Sequence, residues 1–393
     1  MMPEMKGRYL TLNFLVRRWQ IEKTRFDHSG EDETKYCTRE NIKWISDIVR
    51  ENFPHGNITW ALSWEALMNP NSYWRCIREI ILQLCEKYRD DITFNPAGGF
   101  PNVYNTKQQV NEDIDEAFEV IKKLTDKYPK SIVSWQLSAE NLAYIREKYG
   151  AKVASAHCWS QEAVDNLSSE GSIMYPYYPS RRHYLKPAKS REDMIDILML
   201  DVISLDLVTA RLRMDNAGQD CRMGVQPIET VLRFGYQKGF EIMKQVTDRY
   251  FQDNWENLPF VWVTNQLEMS VIHRNNEVRR AFKNWLDHIR KIYKDVHLLK
   301  IADFSELFRK HYQDNSKIQY SFRYRGIGIS SSDPEKEVLW WMNKDYRLGV
   351  LVSKNTAQIM DYLVYTDDIQ EPQGPESNWN ISGIVSQKKS LRE

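Results

Sequence analysis

The sequence predicts an α/β protein: a (β/α) barrel of seven or eight strands followed by a small C-terminal β-rich module. Short apolar runs alternate with amphipathic helical patterns over most of the 393 residues, which is typical of βα units around a parallel sheet. From about Ile318 the hydrophobic period changes to the alternation of antiparallel strands. We therefore expect a barrel domain over residues 1–315 and the module, with a polar tail, over residues 316–393.

The first half of the chain predicts five strands, at residues 9–16, 57–67, 92–95, 132–137 and 153–157. Apolar residues recur at spacings of three and four over residues 74–88 and 110–124, which indicates two amphipathic helices between these strands. Thr106 and Gln109 form a capping box before the second of these helices.

The second half predicts further strands at residues 172–175, 197–204, 260–264 and 296–301, with helices over residues 240–250 and 282–292. Alternating residues in the module predict short strands at 320–324, 338–342, 348–352 and 362–365. The alternative is an open doubly wound sheet. No GxGxxG or P-loop motif follows any of the predicted strands, so its usual nucleotide-binding signature is absent.

Composition narrows the range of partners. The chain has 54 basic and 54 acidic residues, so no net charge attracts nucleic acid. No window approaches the roughly 20 apolar residues of a membrane span, and the first residues lack a signal-peptide core. Five cysteines without CxxC spacing disfavour a disulfide framework. We expect a soluble protein, with the cytoplasm slightly favoured and neither nucleic acid nor membrane as a partner.

Carboxylates follow several of the predicted strands. In a barrel the functional side chains lie at the C-terminal ends of the strands. Glu65, Asp201, Asp206 and Glu268 occupy such positions and are the predicted catalytic residues. Hydrolysis of a glycosidic or ester bond needs one group to donate a proton and another to activate water or attack. Glu65 could instead begin a helix and stabilise its positive end.

Aromatic and polar side chains at the same strand ends are the predicted substrate-binding residues. With 13 Trp and 21 Tyr the chain is rich in the amphipathic rings that suit the walls of a sugar cleft. Such rings could equally fill a large core, and a carboxylate in the first turn of a helix, such as Glu140, could be structural. The predicted set is Trp64, Asn95, Glu140, His157, Trp159, Gln161, Tyr177, Tyr178, Arg181 and Asn265.

Local spacing supports neither a metal site nor a serine hydrolase. The 8 histidines show no HxxxH, HExxH or HxH pattern, and no GxSxG elbow is present. We expect no cofactor. A divalent metal site assembled from distant segments stays open, without support from spacing.

Several motifs resemble a bacterial family of the glycoside hydrolase/deacetylase barrel superfamily. They are ITWALSWEAL at 58–67, FNPAGGFPNVYN at 94–105, LSAENL at 137–142, HCWSQ at 157–161 and YPYYPS at 175–180. FRYRGIGISSSD from Phe322 and WWMNKDYRLGV from Trp340 resemble the C-terminal domain that accompanies it.

The resemblance implies a carbohydrate substrate but leaves the reaction open. The wider superfamily contains metal-dependent polysaccharide deacetylases and retaining glycosidases. Deacetylases of that kind use an aspartate pair and an HxxxH, whereas this chain has Ser63, Trp64 and Glu65 and no HxxxH. The expected function is a carbohydrate-active hydrolase that uses strand-end carboxylates on an oligo- or polysaccharide. The alternative is a carbohydrate-binding protein without catalysis on a barrel scaffold.

Overall fold

The computed structural model describes residues 5–155, 171–202, 227–252, 258–328, 333–354 and 356–381. Most of the described chain consists of parallel strands alternating with helices, and the C-terminal part is a four-stranded antiparallel sheet. The predicted α/β class and the C-terminal β sheet are therefore confirmed. The domain boundary between residues 315 and 316 stays a prediction.

The described strands are β1 Arg8–Val16, β2 Trp19–Ile21, β3 Ser29–Asp32, β4 Thr59–Leu62, β5 Asp91–Phe94, β6 Ser131–Val133, β7 Val153–Ser155, β8 Leu198–Leu200, β9 Val261–Glu268, β10 Val296–Leu298, β11 Gln319–Arg325, β12 Lys336–Asn343, β13 Tyr346–Ser353 and β14 Thr356–Val364. The described α-helices are α1 Arg39–Asn52, α2 Trp64–Met68, α3 Ser72–Tyr88, α4 Pro101–Tyr104, α5 Lys107–Thr125, α6 Ala139–Tyr149, α7 Glu229–Phe251, α8 Met269–Ile272, α9 Asn276–Ile292 and α10 Ile301–His311.

The parallel strands form two sheets. In the first sheet, β1 pairs with β9 along most of its length. On its other side, the first residues of β1 pair with β10 and the last residues pair with β4. β4 pairs in turn with β5. The second contains β6, β7 and β8. The Asn95 amide donates to the carbonyl of Val133 at 2.8 Å, which links β5 to β6. A closed barrel of seven or eight strands is not confirmed, because no backbone ladder joins the two sheets among the described residues.

The two faces of β1 differ in polarity. Phe14 packs against Phe282 of α9, so this face lies beneath the helices. The hydroxyl of Thr11 instead contacts that of Thr264 on β9. The Gln266 amide of β9 donates to the Ser155 hydroxyl of β7 at 2.9 Å, although these strands belong to different sheets. The inner face of the parallel strands is therefore polar.

The structure differs from the sequence prediction at several elements. The strand expected at 57–67 ends at Leu62, because the Ser63 hydroxyl accepts from the Ala66 amide and begins α2. The strand expected at 172–175 is wrong, since that segment forms no strand. The expected strand 296–301 ends at Leu298, and α10 and the β2–β3 hairpin were not predicted.

The C-terminal sheet packs on the α/β part through aromatic side chains. Tyr175, which precedes β8, contacts Tyr320 and Phe322 of β11 with ring centroids 5.0 and 5.4 Å apart. After β14 the chain returns to the α/β part, where the Glu371 carboxylate accepts from the amide of Ala139 at the start of α6 at 2.6 Å. Among the described residues, no helix combines the length and apolar character that crossing a membrane requires.

Candidate functional site

The ends of β1, β4 and β9 bring charged side chains together at one edge of the first sheet. β4 and β9 both pair with β1 in parallel register, so their C-terminal ends lie on the same side. Arg17 and Arg18 follow β1, Glu65 follows β4, and Glu268 ends β9. We call this edge the mouth. It contains two of the predicted catalytic carboxylates.

Arg17 is buried between two carboxylates at the mouth. Its guanidinium bonds both oxygens of Glu33 at 2.9 Å and also contacts the Glu268 carboxylate at 2.9 Å. Burial alone would lower the pKa of Arg17, but the charges of Glu268 and Glu33 raise it above its ordinary value. The Glu268 side chain keeps 15% of its surface exposed, against 2% for Glu33. Arg17 therefore fixes an accessible carboxylate in place.

Glu65 is held in a similar way by the next arginine. Arg18 donates to the Glu65 carboxylate at 3.0 Å, and the amide of Asn69 donates to the same oxygen at 2.9 Å. The side chain of Glu65 is 24% exposed. Both carboxylates are thus oriented by adjacent arginines and remain reachable from solvent.

Glu22, in the β2–β3 hairpin, is a buried carboxylate beneath Glu65. It accepts from the Ser63 hydroxyl at 2.7 Å and from the Glu65 backbone amide at 3.0 Å. Burial raises the pKa of Glu22, and these hydrogen bonds together with one from the Trp19 amide oppose that change. Glu22 lies at the start of α2, where a negative charge stabilises the helix. Its contacts fix the backbone that carries Glu65.

One face of the Trp64 ring is covered by an arginine side chain. The Arg25 guanidinium lies 4.3 Å from the centre of its ring, and Arg25 is itself paired with Asp113 and Glu116 of α5. Phe94 contacts the Trp64 ring edge-on at 6.5 Å between centroids. A sugar could stack on the face beneath Arg25 only after Arg25 moved.

The turn after β5 has an unusual backbone. Ala97 has φ +48°, and Gly98 and Gly99 also have positive φ. A Cβ on Gly99 would lie 2.8 Å from the Trp135 ring, so only glycine allows this close approach. Asn95, a predicted binding residue, is buried with its amide bound to the Val133 carbonyl. Strained backbone of this kind concentrates at functional sites.

The remaining predicted residues lie at different depths. Asp201 follows β8 and is buried, with its carboxylate accepting from the Val202 amide at 2.7 Å. Tyr177 and Tyr178 are fully buried, and their hydroxyls donate to the carbonyls of Tyr184 and Tyr312.

Three further predicted residues do not contact the mouth carboxylates: two pair with residues elsewhere, and the third lies on the other face of β9. Glu140 is exposed in the first turn of α6, and Arg181 is exposed and paired with Glu147. Asn265 is buried on β9 and lies on the strand face opposite to Gln266. The predicted residues His157, Trp159, Gln161 and Asp206 lie outside the described residues.

The comparison with known families covers most of the chain. The model of the family DUF3863, a domain of unknown function with a solved structure, matches residues 2–342. The chain belongs to the DUF3863 family. A comparison with curated protein sequences gave no match.

Solved structures resemble this DUF3863 protein to different degrees. A protein from Parabacteroides distasonis, described as a "putative glycoside hydrolase/deacetylase", is 31% identical, with 96% of this chain and 91% of that chain covered and a TM-score of 0.88. Puue allantoinase is 12% identical, with 79% of this chain and 95% of that chain covered and a TM-score of 0.52. The second similarity shows the fold alone.

No group of three or more His, Cys, Asp or Glu side chains in the described ranges is placed to hold a metal ion. The two arginines after β1 also give the mouth positive charges beside its carboxylates. Whether a metal binds stays untested, because His157 and Asp206 lie outside these ranges.

Proposed function

We propose that this DUF3863 protein is a carbohydrate-active hydrolase whose reaction takes place at the mouth, on an oligo- or polysaccharide. The observation that carries the proposal is the pair of partly exposed carboxylates, Glu65 and Glu268, at the C-terminal ends of β4 and β9, the strands that flank β1. The relative with 31% identity and matching length, described as a glycoside hydrolase/deacetylase, supports the same class of substrate.

Glu268 is the better candidate for activating water or attacking the substrate. A carboxylate bound to a buried guanidinium is favoured in its charged form, which suits a base or nucleophile rather than a proton donor. Glu65 accepts hydrogen bonds from Arg18 and from the Asn69 amide.

The proton donor must then come from another strand end. Asp201 is the described candidate. Asp201 follows β8 and is buried, one residue beyond Leu200, which is in register with Ser155. Asp206 stays a candidate outside the described residues.

One observation favours the alternative, a carbohydrate-binding protein without catalysis. Glu65, Glu268 and Glu33 are all paired with arginine. Paired carboxylates of this kind also accept hydrogen bonds from sugar hydroxyls without any reaction. The experiment below separates the two functions.

Glu268→Gln is expected to reduce turnover at least about 100-fold, because the amide can neither activate water nor attack. Purified protein is incubated with acetylated and with unmodified oligosaccharides, and free acetate and new reducing ends are measured separately. Acetate indicates deacetylation and reducing ends indicate glycosidic cleavage. Glu65→Gln is tested in the same way.

Glu306→Gln is the matched control, since Glu306 is an exposed glutamate of α10 that pairs with Lys152, away from the mouth. Its turnover should equal that of the wild type. Equal turnover by the Glu268→Gln and wild-type proteins would exclude Glu268 as the reacting carboxylate. Measurable oligosaccharide binding without either product would identify a binding protein instead.

A further inference from the structure

We propose that Asn13 of β1 and Gln266 of β9 form a second recognition site inside the parallel strands, which we call the lumen layer. It takes a neutral hydrogen-bonding group, a hydroxyl or an amide, carried by the sugar that the mouth binds. This inference rests on the proposed function, because it takes the ligand of the mouth to be a carbohydrate.

The register of the strands places the lumen layer directly beneath the mouth. Asn13 is the register partner of Gln266 on one side and of Thr59 on the other. Alternate residues of a strand share a face, so Gln266 lies on the same face as Glu268, two residues further on. Two residues of strand span about 7 Å. A substituent of a sugar held at Glu268 therefore has the length needed to reach this layer.

The lumen layer is buried and its hydrogen bonding is incomplete. Asn13 has no solvent exposure, and within the described residues neither its amide nitrogen nor its amide oxygen has a hydrogen-bond partner. The Gln266 amide nitrogen donates to Ser155, but its oxygen likewise has no partner in this part of the chain. Buried polar groups are normally satisfied, because each unsatisfied one opposes folding. A ligand group with both a donor and an acceptor would complete the missing hydrogen bonds of Asn13 and Gln266.

The chemistry of the layer selects a neutral ligand group. Amides and hydroxyls of Asn13, Gln266, Thr59 and Ser155 offer both donors and acceptors and carry no charge. The charged groups lie above this layer at the mouth, with Glu268 two residues beyond Gln266 and Arg17 four residues beyond Asn13. A charged substituent would lose its hydration without gaining a counter-ion, whereas a hydroxyl or amide finds complementary partners. Because the layer is buried, entry requires the side chains at the mouth to separate.

The test compares stability and sugar binding in Asn13→Leu. Leucine has nearly the same shape and no unsatisfied polar atoms, so the variant should unfold about 2 °C higher than the wild type. Glucose, xylose and N-acetylglucosamine serve as probes, with binding followed by NMR of asparagine side-chain amides. At least one probe should shift the Asn13 signal, and its affinity should fall about tenfold in the variant.

Asn102→Leu is the matched control, because this buried asparagine is fully bonded. Its amide donates to Asn141 at 2.9 Å and its oxygen accepts from the Ser138 amide at 2.8 Å. The thermal unfolding midpoint of Asn102→Leu should be lower than that of the wild type. The inference is overturned if Asn13→Leu unfolds at a lower temperature, or if no probe shifts the Asn13 signal.

The binding assay uses Glu268→Gln protein as well as wild type. Probe binding that is unchanged by Glu268→Gln supports the lumen layer even if no hydrolysis is found. Hydrolysis that persists in Asn13→Leu with unchanged affinity overturns the lumen layer and leaves the proposed function standing.

Discussion

Replacing Arg17 with methionine is expected to lower the free energy of unfolding by about 3–5 kcal/mol, because breaking a buried ion pair leaves its partners uncompensated. Arg17 bonds Glu33 through two nitrogens and Glu268 through one. Glu33 is 2% exposed, so water cannot replace the lost guanidinium. Methionine fills similar space, which confines the change to charge and hydrogen bonding.

Urea unfolding measures this loss, and Arg181→Met provides the control. Arg181 pairs with Glu147 at 3.2 Å, but both side chains are about half exposed or more. An exposed pair contributes roughly 0–1 kcal/mol, so the control should stay close to the wild type. Equal losses in the two variants would show that the Arg17 cluster is not a buried network.

Long amphipathic helices were the elements that the sequence predicted best. Residues 74–88 lie within α3 and residues 110–124 within α5, and the predicted capping box of Thr106 and Gln109 is present. Their periodicity extends over four or more turns, so local pattern and packing agree. The apolar run 57–67 could not be divided into strand and helix in this way, because a short buried strand and a short buried helix both lack a polar face.

The β2–β3 hairpin could not be predicted from its own residues. Its strands are three and four residues long and largely polar, so they lack an apolar period. They are stabilised by contacts from elsewhere: Arg25 reaches α5, and Glu22 reaches the start of α2. Such a segment becomes ordered through long-range contacts that sequence spacing does not encode.

The positions of some candidate site residues were predicted and their roles stay a prediction, whereas other residues at the mouth were not predicted. The rule that functional polar residues follow the strands predicts Glu65 after β4 and Glu268 at the end of β9. The same rule points to Arg17 and Arg18, which directly follow the first apolar run. Glu22 had no comparable signal, because its role depends on the hairpin.

Glu371 shows the same dependence on distant contacts and leads to a prediction about pH. Its carboxylate lies buried between the amides of Ala139 and Tyr184, with the Lys107 ammonium 3.6 Å away. Burial raises the pKa of Glu371 to about 7, although these three groups act to lower it. His183 nearby has its pKa lowered to about 3 by burial and by Lys107 and Lys186, so it stays neutral above that pH.

Glu371 is therefore expected to contribute more stability as the pH falls from 8 to 5, whereas His183, which takes up a proton only in the unfolded chain over this range, contributes less. Over this range the folded state takes up a proton on Glu371 that the unfolded chain, with its ordinary glutamate pKa near 4.5, does not. The gain in unfolding free energy is on the order of 3 kcal/mol. Urea unfolding of the wild-type and Glu371→Gln proteins at several pH values measures it as the difference between the two, because His183 is present in both.

Glu371→Gln should remove this gain, because glutamine accepts the same amide hydrogen bonds without a charge. The variant should exceed the wild type in stability at pH 8 and match it near pH 5. Glu140→Gln is the control, since Glu140 is exposed beside the same Lys107, and its pH profile should follow the wild type. If Glu371→Gln instead loses stability at pH 8, the ionised carboxylate is the stabilising form, and the interaction with Lys107 outweighs the cost of burial.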